Sequence, residues 1–187
     1  MMSKHAIVVI DMLNDFISPE GALTCPNGEK IVPALQELIE FSHENDIQVI
    51  FVQEAHRKND ADFRVRPIHA IKGTWGSEFI PELTPQPEQG DYVVQKRRHS
   101  AFSYTDMDLF LREEGIDTVV VTGVWTNVCV RSTASDAMYH TYKVMCISDC
   151  CASKDEEMHV SGLRDIGIFG EVLTLEEYKA KNTVVRG

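Results

Sequence analysis

Short runs of hydrophobic residues alternate with segments of mixed character along the whole chain. The central runs are almost continuously hydrophobic, which is typical of strands that a parallel sheet buries on both faces. The runs lie at residues 5–10, 47–52, 91–95, 118–122, 142–147 and 171–173. We therefore predict a parallel β-sheet at the centre of the fold.

The segments between these runs carry hydrophobic residues at helical spacing. In the segment 31–45, Leu35, Leu38 and Ile39 fall on one stripe, and Pro33 lies in the first turn, where a proline is tolerated. Strands that alternate with helices form right-handed βαβ units, so we expect an α/β fold of three layers with helices on both sides of the sheet. Further helices are predicted at residues 105–114, 127–140, 156–166 and 175–181.

Composition narrows the classes of protein that the chain can represent. It has 187 residues, of which 43% are hydrophobic, and its formal charge is −11. This length predicts a single domain over residues 1–187, and the hydrophobic content excludes a disordered chain. The negative charge argues against a nucleic-acid partner, because phosphate binding requires a positive surface. We also expect no membrane partner and a cytoplasmic location, since neither a membrane span nor a signal peptide is visible.

The five cysteines are candidates for reactive thiols. An odd number without an export signal predicts that they are reduced. Cys150 and Cys151 are adjacent, and neighbouring cysteines rarely bridge because the geometry is strained. A thiol redox sensor that uses this pair is one alternative function.

Three reactive side chains follow three different predicted strands. Asp11 and Lys96 come directly after their runs, and Cys129 lies in a turn that leads from the run 118–122 into a helix. Ligands of open parallel sheets bind beyond the carboxyl ends of the strands, so a carboxylate, an ammonium and a thiol are expected at one edge. Each residue alone has a simpler interpretation, as a turn residue, a solvated lysine or a buried core cysteine.

Together, the three side chains fit acyl transfer through a thioester. The Lys96 ammonium and the positive end of the helix would favour the thiolate of Cys129. Asp11 could accept the thiol proton and later deliver it to a leaving amine. Backbone N–H groups in the turn before Cys129 could hold the developing oxyanion.

The segments around these residues resemble the isochorismatase-like superfamily of cysteine hydrolases, which includes nicotinamidases, N-carbamoylsarcosine amidases and ureide amidohydrolases. The similarity covers almost the whole chain, and the motifs occur in the order and spacing of that family. They are VVIDMLNDF at 8–16, KRRHSAF at 96–102, GVWTNVCV at 123–130 and, more weakly, ISDCCA at 147–152.

The resemblance implies specific roles and a specific fold. Cys129 corresponds to the nucleophile, and Lys96 and Asp11 correspond to the lysine and the aspartate of the family. A Rossmann-like, six-stranded parallel sheet is implied, together with assembly into a homodimer or homotetramer. The family carries a cis peptide before the nucleophile, which here is Val124–Trp125. We expect it to aim the N–H groups of Trp125 and Cys129 at the oxyanion.

The resemblance also raises the question of a metal. Metal-containing nicotinamidases use an Asp-x-His element and further histidines, and the counterparts here are Glu54, His56 and His69, with Asp62 at an intermediate histidine position. Glutamate and aspartate depart from that pattern. We therefore expect neither a metal nor another cofactor, and a nicotinamidase with a metal at Glu54, His56 and His69 stays an alternative.

We predict a cysteine-dependent hydrolase that cleaves a C–N bond of a small amide or ureide. Phe16, Trp125 and Tyr104 are candidate substrate-binding residues. Arg66 and His99 could meet a substrate carboxylate, although surface exposure is the simpler interpretation of both. The alternative from another class is a non-catalytic binding protein on the same scaffold.

Overall fold

Six parallel strands form one sheet in the computed structural model, which describes residues 3–182. The order across the sheet is β3-β2-β1-β4-β5-β6, and every pair of neighbours is parallel. The predicted parallel sheet is confirmed. The strands are β1 (His5–Ile10), β2 (Gln48–Glu54), β3 (Tyr92–Lys96), β4 (Thr118–Val124), β5 (Lys143–Ala152) and β6 (Glu171–Leu173).

Helices cover both faces of the sheet, as the α/β/α prediction requires. On one face β1 directs Ile7 and Val9 towards Leu35 and its neighbours, and on the other face Val8 packs in a second core with Leu111. The alternation of strand side chains between the two faces produces these two cores. The helices are α1 (Asn14–Ile17), α2 (Val32–Glu44), α3 (Met107–Glu113), α4 (Arg131–Tyr139), α5 (Glu156–Ile166) and α6 (Leu175–Asn182). None of the helices within residues 3–182 is long and hydrophobic enough to cross a membrane.

The largest differences from the predicted elements are in the second half of the chain. β5 continues to Ala152, beyond the predicted end at residue 147, so Cys150 and Cys151 lie within the strand and are buried. The polar residues Ser148 and Asp149 interrupt the hydrophobic run, and the register with β4 shifts nearby. The predicted helix 127–140 begins as a π-helical turn, Thr126–Val130, before α4.

The strand order reverses between β1 and β4. From β1 the chain moves outward through β2 to β3, and it then returns to the other side of β1 to add β4, β5 and β6. In a doubly wound sheet, a crevice forms beyond the carboxyl ends of the strands at the place where the strand order reverses. Residues at the carboxyl ends of β1, β3 and β4 meet at that crevice.

A buried aspartate holds the long connection between β2 and β3 against the sheet. Asp15 accepts hydrogen bonds from the backbone N–H groups of Ala70 at 2.7 Å and Ala22 at 3.0 Å. Gly76 packs on the same carboxylate, where a Cβ atom would lie only 2.1 Å from Asp15 Oδ2. The connection is therefore fixed near the carboxyl edge, although it contains only short 3₁₀ turns.

Candidate active site

The structure brings Asp11, Lys96 and Cys129 together at the carboxyl edge of the sheet. Lys96 Nζ lies 2.7 Å from Asp11 Oδ2 and 3.6 Å from Cys129 Sγ. An Asp11 carboxylate oxygen and Cys129 Sγ lie within 4.8 Å of each other. All three side chains are buried. The predicted convergence of a carboxylate, an ammonium and a thiol is thus present in the fold.

The backbone around Asp11 accounts for its position. Asp11 has φ of 55°, a left-handed conformation that turns the chain directly after β1. The backbone N–H of Glu54 donates to Asp11 Oδ1 at 3.0 Å and fixes the carboxylate. Next to it, Gly123 has φ of 99°, and a Cβ there would lie 2.2 Å from the carbonyl oxygen of Ile10. Only glycine lets β4 approach β1 this closely.

Cys129 is placed by the π-helical turn Thr126–Val130. The Val124–Trp125 peptide that precedes this turn is cis, as the resemblance implies. The carbonyl oxygen of Trp125 accepts hydrogen bonds from Val128 N at 2.9 Å and Val130 N at 3.2 Å. Gly162 of α5 supports the turn from outside, since a Cβ there would lie 2.8 Å from Asn127 N. The turn is therefore held closely between the end of β4 and α5.

Burial and charge set the protonation states of the three groups. Burial raises the pKa of Asp11 to about 6, although Lys96 opposes this effect. Burial would lower the pKa of Lys96, but the negative groups around it, Asp11 first, together outweigh burial and raise the pKa. Burial raises the pKa of the Cys129 thiol well above its usual range, and the nearby ammonium only partly compensates. At neutral pH the site therefore holds a carboxylate, an ammonium and a neutral thiol.

Cys129 is therefore a neutral thiol in the free site, and not the thiolate that the sequence predicts. Lys96 and the positive end of a helix do not keep Cys129 ionised in the free site, because the loss of hydration outweighs them. The thiol needs a base, and two carboxylates, Asp11 and Glu54, each present an oxygen within 4.8 Å of the sulfur. Asp11 is the stronger base of the two, because its pKa is raised whereas the pKa of Glu54 is held well below its usual range. Proton transfer to Asp11 is thus the way in which this arrangement can generate a nucleophile.

A cavity of about 280 Å³ is lined by Asp11 and Cys129, and Lys96 contacts both of them without lining the cavity itself. Its wall is mostly hydrophobic and is formed by Phe16, Trp125, Leu23 and Val128. Phe16 and Trp125 thus line a cavity, and their role in binding a substrate stays a prediction. A larger groove of about 590 Å³ lies between α2 and the segment 82–89, but neither a cysteine nor a lysine lines it.

Tyr104 does not line this cavity, and the prediction that it forms a pocket wall is wrong. Its side chain is 99% exposed, and its backbone is left-handed with φ of 60°. Ala101 and Phe102 occupy the inward positions of this turn and are buried. The chain has therefore already turned outward at residue 104.

Arg66 and His99 both line the cavity, which the sequence did not favour. The side chain of Arg66 is only 22% exposed. Burial lowers the pKa of His99, so its ring is neutral at neutral pH. Leu23 and Val128 were missed because Leu23 lies in a segment without periodicity and Val128 lies in the turn beside the nucleophile. No sequence pattern marked either residue as a cavity wall.

A second cluster of ionisable groups lies directly behind the cavity. Glu54, His56, Asp62 and His69 each present one potential ligand atom, and these atoms lie within 4.8 Å of one another. The alternative of a metal-containing nicotinamidase would use Glu54, His56 and His69, and these three residues do lie together. The Arg66 guanidinium also reaches into this cluster, with Nη2 2.6 Å from Asp62 Oδ2 and 3.2 Å from Glu54 Oε1.

The strand order and the crevice define a doubly wound α/β protein with its reactive groups at the switch point. Residues 5–177 match the family described as Isochorismatase domain, and the chain belongs to this family.

Relatives within the family have several names. The chain is 61% identical to an isochorismatase-like hydrolase from Alkaliphilus metalliredigens, with a TM-score of 0.93 over 96% of this chain and 99% of that one. It is 36% identical to an N-carbamoylsarcosine amidase from Thermoplasma acidophilum, with a TM-score of 0.83 over 93% and 98% of the two chains. A protein of Arabidopsis thaliana that is named a probable inactive nicotinamidase is 36% identical over 92% of this chain and 93% of its own.

Proposed function

We propose that this protein is a cysteine amidohydrolase that cleaves a C–N bond of a small amide or ureide. The observation that carries the proposal is the contact of Lys96 with both Asp11, at 2.7 Å, and Cys129, at 3.6 Å, at a hydrophobic cavity. Nucleophile, base and cation are thus within reach of one bound carbonyl carbon. The family membership supports hydrolysis of amides in general.

In the first half-reaction, Asp11 takes the proton of Cys129 while the sulfur attacks the carbonyl carbon. The oxyanion that forms is stabilised by the backbone N–H groups of Trp125 and Cys129. The C–N bond then breaks, Asp11 returns its proton to the leaving nitrogen, and ammonia or an amine departs. A thioester on Cys129 remains.

In the second half-reaction, water replaces the leaving group. The water oxygen attacks the thioester carbon while Asp11 accepts a proton from the water. The C–S bond then breaks. The sulfur regains a proton from Asp11 and the acid product leaves. Lys96 stays protonated throughout and keeps the Asp11 carboxylate ionised and oriented, because its ammonium is buried against that carboxylate.

The cavity favours substrates of modest size. A volume of about 280 Å³ is at or below the lower end of pockets for drug-sized ligands. Phe16 and Trp125 both line the cavity with aromatic rings, against which a planar amide or ureide group can pack. The relative named N-carbamoylsarcosine amidase indicates a ureide as the first compound class to examine.

The test is release of ammonia from a panel of small amides and N-carbamoyl compounds, with nicotinamide included. We expect turnover of at least one ureide or aliphatic amide, and we expect Cys129→Ala to abolish it while the circular dichroism spectrum stays unchanged. The matched control is Cys146→Ala, which removes another buried thiol of the same core. Turnover that survives in Cys129→Ala, or a panel in which nothing is cleaved, contradicts the proposal.

A further inference from the structure

The cluster behind the cavity already contains a cation from the chain itself. Arg66 donates from Nε to Asp62 Oδ2 at 2.7 Å and from Nη2 to Glu54 Oε1 at 3.2 Å. Arginine is charged at every accessible pH, and its planar group binds two carboxylates well. The guanidinium therefore bridges two acidic side chains that would otherwise repel each other.

Three of the atoms that could serve as ligands, Glu54 Oε1, His56 Nε2 and Asp62 Oδ2, are engaged in contacts within the protein. Glu54 Oε1 lies 2.9 Å from His56 Nε2 as well as 3.2 Å from Arg66 Nη2. A divalent ion takes nitrogen and oxygen ligands at roughly 2.0–2.2 Å, and each ligand must offer a free lone pair. With Arg66 in place, Glu54, His56 and Asp62 do not fit a divalent metal.

Charge repulsion also argues against a divalent ion at this cluster. A doubly charged ion among these ligands would lie close to the guanidinium, in a region where Glu54 is fully buried. Like charges repel strongly at short distance in such surroundings, because little water screens them. The lysine of the catalytic site adds to this repulsion, since the charge of Lys96 also acts on Glu54. The positive charge that the acidic residues require is thus already present.

The rest of the cluster nevertheless has the geometry of a metal site. His69 Nδ1 lies 2.6 Å from the carbonyl oxygen of Pro67, which turns Nε2 towards Glu54 Oε2 at 3.7 Å. His56 Nδ1 lies 3.3 Å from Asp60 Oδ2, so a carboxylate lies near the ring nitrogen that does not face Glu54. Among residues 3–182, Glu54 Oε2 and His69 Nε2 are buried atoms without a hydrogen-bond partner. Apart from the guanidinium and the contact of His56 Nε2 with Glu54 Oε1, the arrangement matches a set of four ligands.

We propose that Arg66 is an internal cation that takes the position of a metal ion, so that the protein works without a metal and binds a divalent ion at this cluster only when Arg66 is removed. Arg66 is then a positioning residue: it holds Glu54 and Asp62 together and forms the polar wall of the cavity. The inference concerns the site proposed above for amide hydrolysis, but metal binding can be measured without any turnover.

The experiment measures manganese in the purified full-length protein by mass spectrometry after incubation with Mn²⁺ and gel filtration. All variants carry Cys129→Ala, because Asp11, Glu54 and Cys129 form another group that can hold an ion. We expect no stoichiometric manganese with Arg66 present. We expect about one equivalent in Arg66→Met, bound at least about tenfold more tightly by calorimetry, since the competing charge is gone.

Three further variants make the result specific. Arg64→Met changes an exposed arginine two residues away and should bind no manganese. Arg66→Lys keeps a cation and should exclude the ion, and adding His69→Ala to Arg66→Met should abolish binding. Stoichiometric manganese in the protein with Arg66, lost on Glu54→Gln, overturns the proposal. A folded Arg66→Met protein that binds no manganese overturns it as well.

Discussion

The ionisation of a single carboxylate controls the chemistry proposed for this site. Asp11 is buried beside a buried ammonium and a buried thiol, and its pKa is raised to about 6. A carboxylate with a raised pKa is a stronger base, which suits removal of a proton from a thiol whose own pKa is also raised. Lys96 limits how far the pKa of Asp11 rises, because its positive charge keeps the carboxylate ionised at neutral pH.

We predict that catalysis depends on the ionisation of Asp11. Asp11 must be deprotonated to act as a base, so kcat/KM should fall as the pH decreases through about 6. Asp11→Asn should lower kcat by roughly 10²–10⁴-fold because the base is lost. The measurement is a pH profile of kcat/KM on the best substrate of the panel. An acid limb near pH 4, the value of an ordinary aspartate, would argue against this role.

The turn between β4 and α4 determines where the sulfur of Cys129 lies. The five residues Thr126–Val130 form a π-helical turn, and α5 packs against it at Gly162. A Cβ atom at residue 162 would lie 2.8 Å from both Asn127 N and Asn127 Cα. This contact is shorter than carbon and nitrogen atoms tolerate, so the backbone of the turn would have to move.

We predict that Gly162→Ala lowers kcat by about tenfold or more, because displacement of a reacting atom by about 1 Å can cost 10²-fold. Its thermal stability should fall as well, although the higher helix propensity of alanine, worth up to about 1 kcal/mol, offsets part of the strain. The matched control is Gly167→Ala at the end of the same helix, where φ is −62° and the Cβ would lie 3.3 Å from Leu163 O. Equal kcat for both variants would show that the turn is not held in this way.

The sequence predicted the elements better than the details of the site. The hydrophobic runs located every strand, because strands buried on both faces have few polar residues. The same reasoning ended β5 too early, since Ser148 and Asp149 are polar residues within a buried strand. Motif spacing identified Asp11, Lys96 and Cys129. It did not place Arg66, because the path of the segment after β2 depends on tertiary contacts of Asp15.

At the scale of the whole molecule, the sheet topology creates the site. Asp11, Lys96 and Cys129 are far apart in sequence, and they meet because β1, β3 and β4 run parallel and end at one edge. Two hydrophobic cores on opposite faces hold these strands in register. The assembly into dimers or tetramers implied by the family resemblance stays a prediction.

The most direct test of the central claim is detection of the thioester. The protein is mixed with the best substrate of the panel, quenched with acid within one turnover and analysed by intact-mass and peptide mass spectrometry. The account predicts a mass increase equal to the acyl part of the substrate, on the peptide that contains Cys129, and its absence in Cys129→Ala. Turnover without an adduct, or an adduct on another residue, would contradict the claim that Cys129 is the nucleophile.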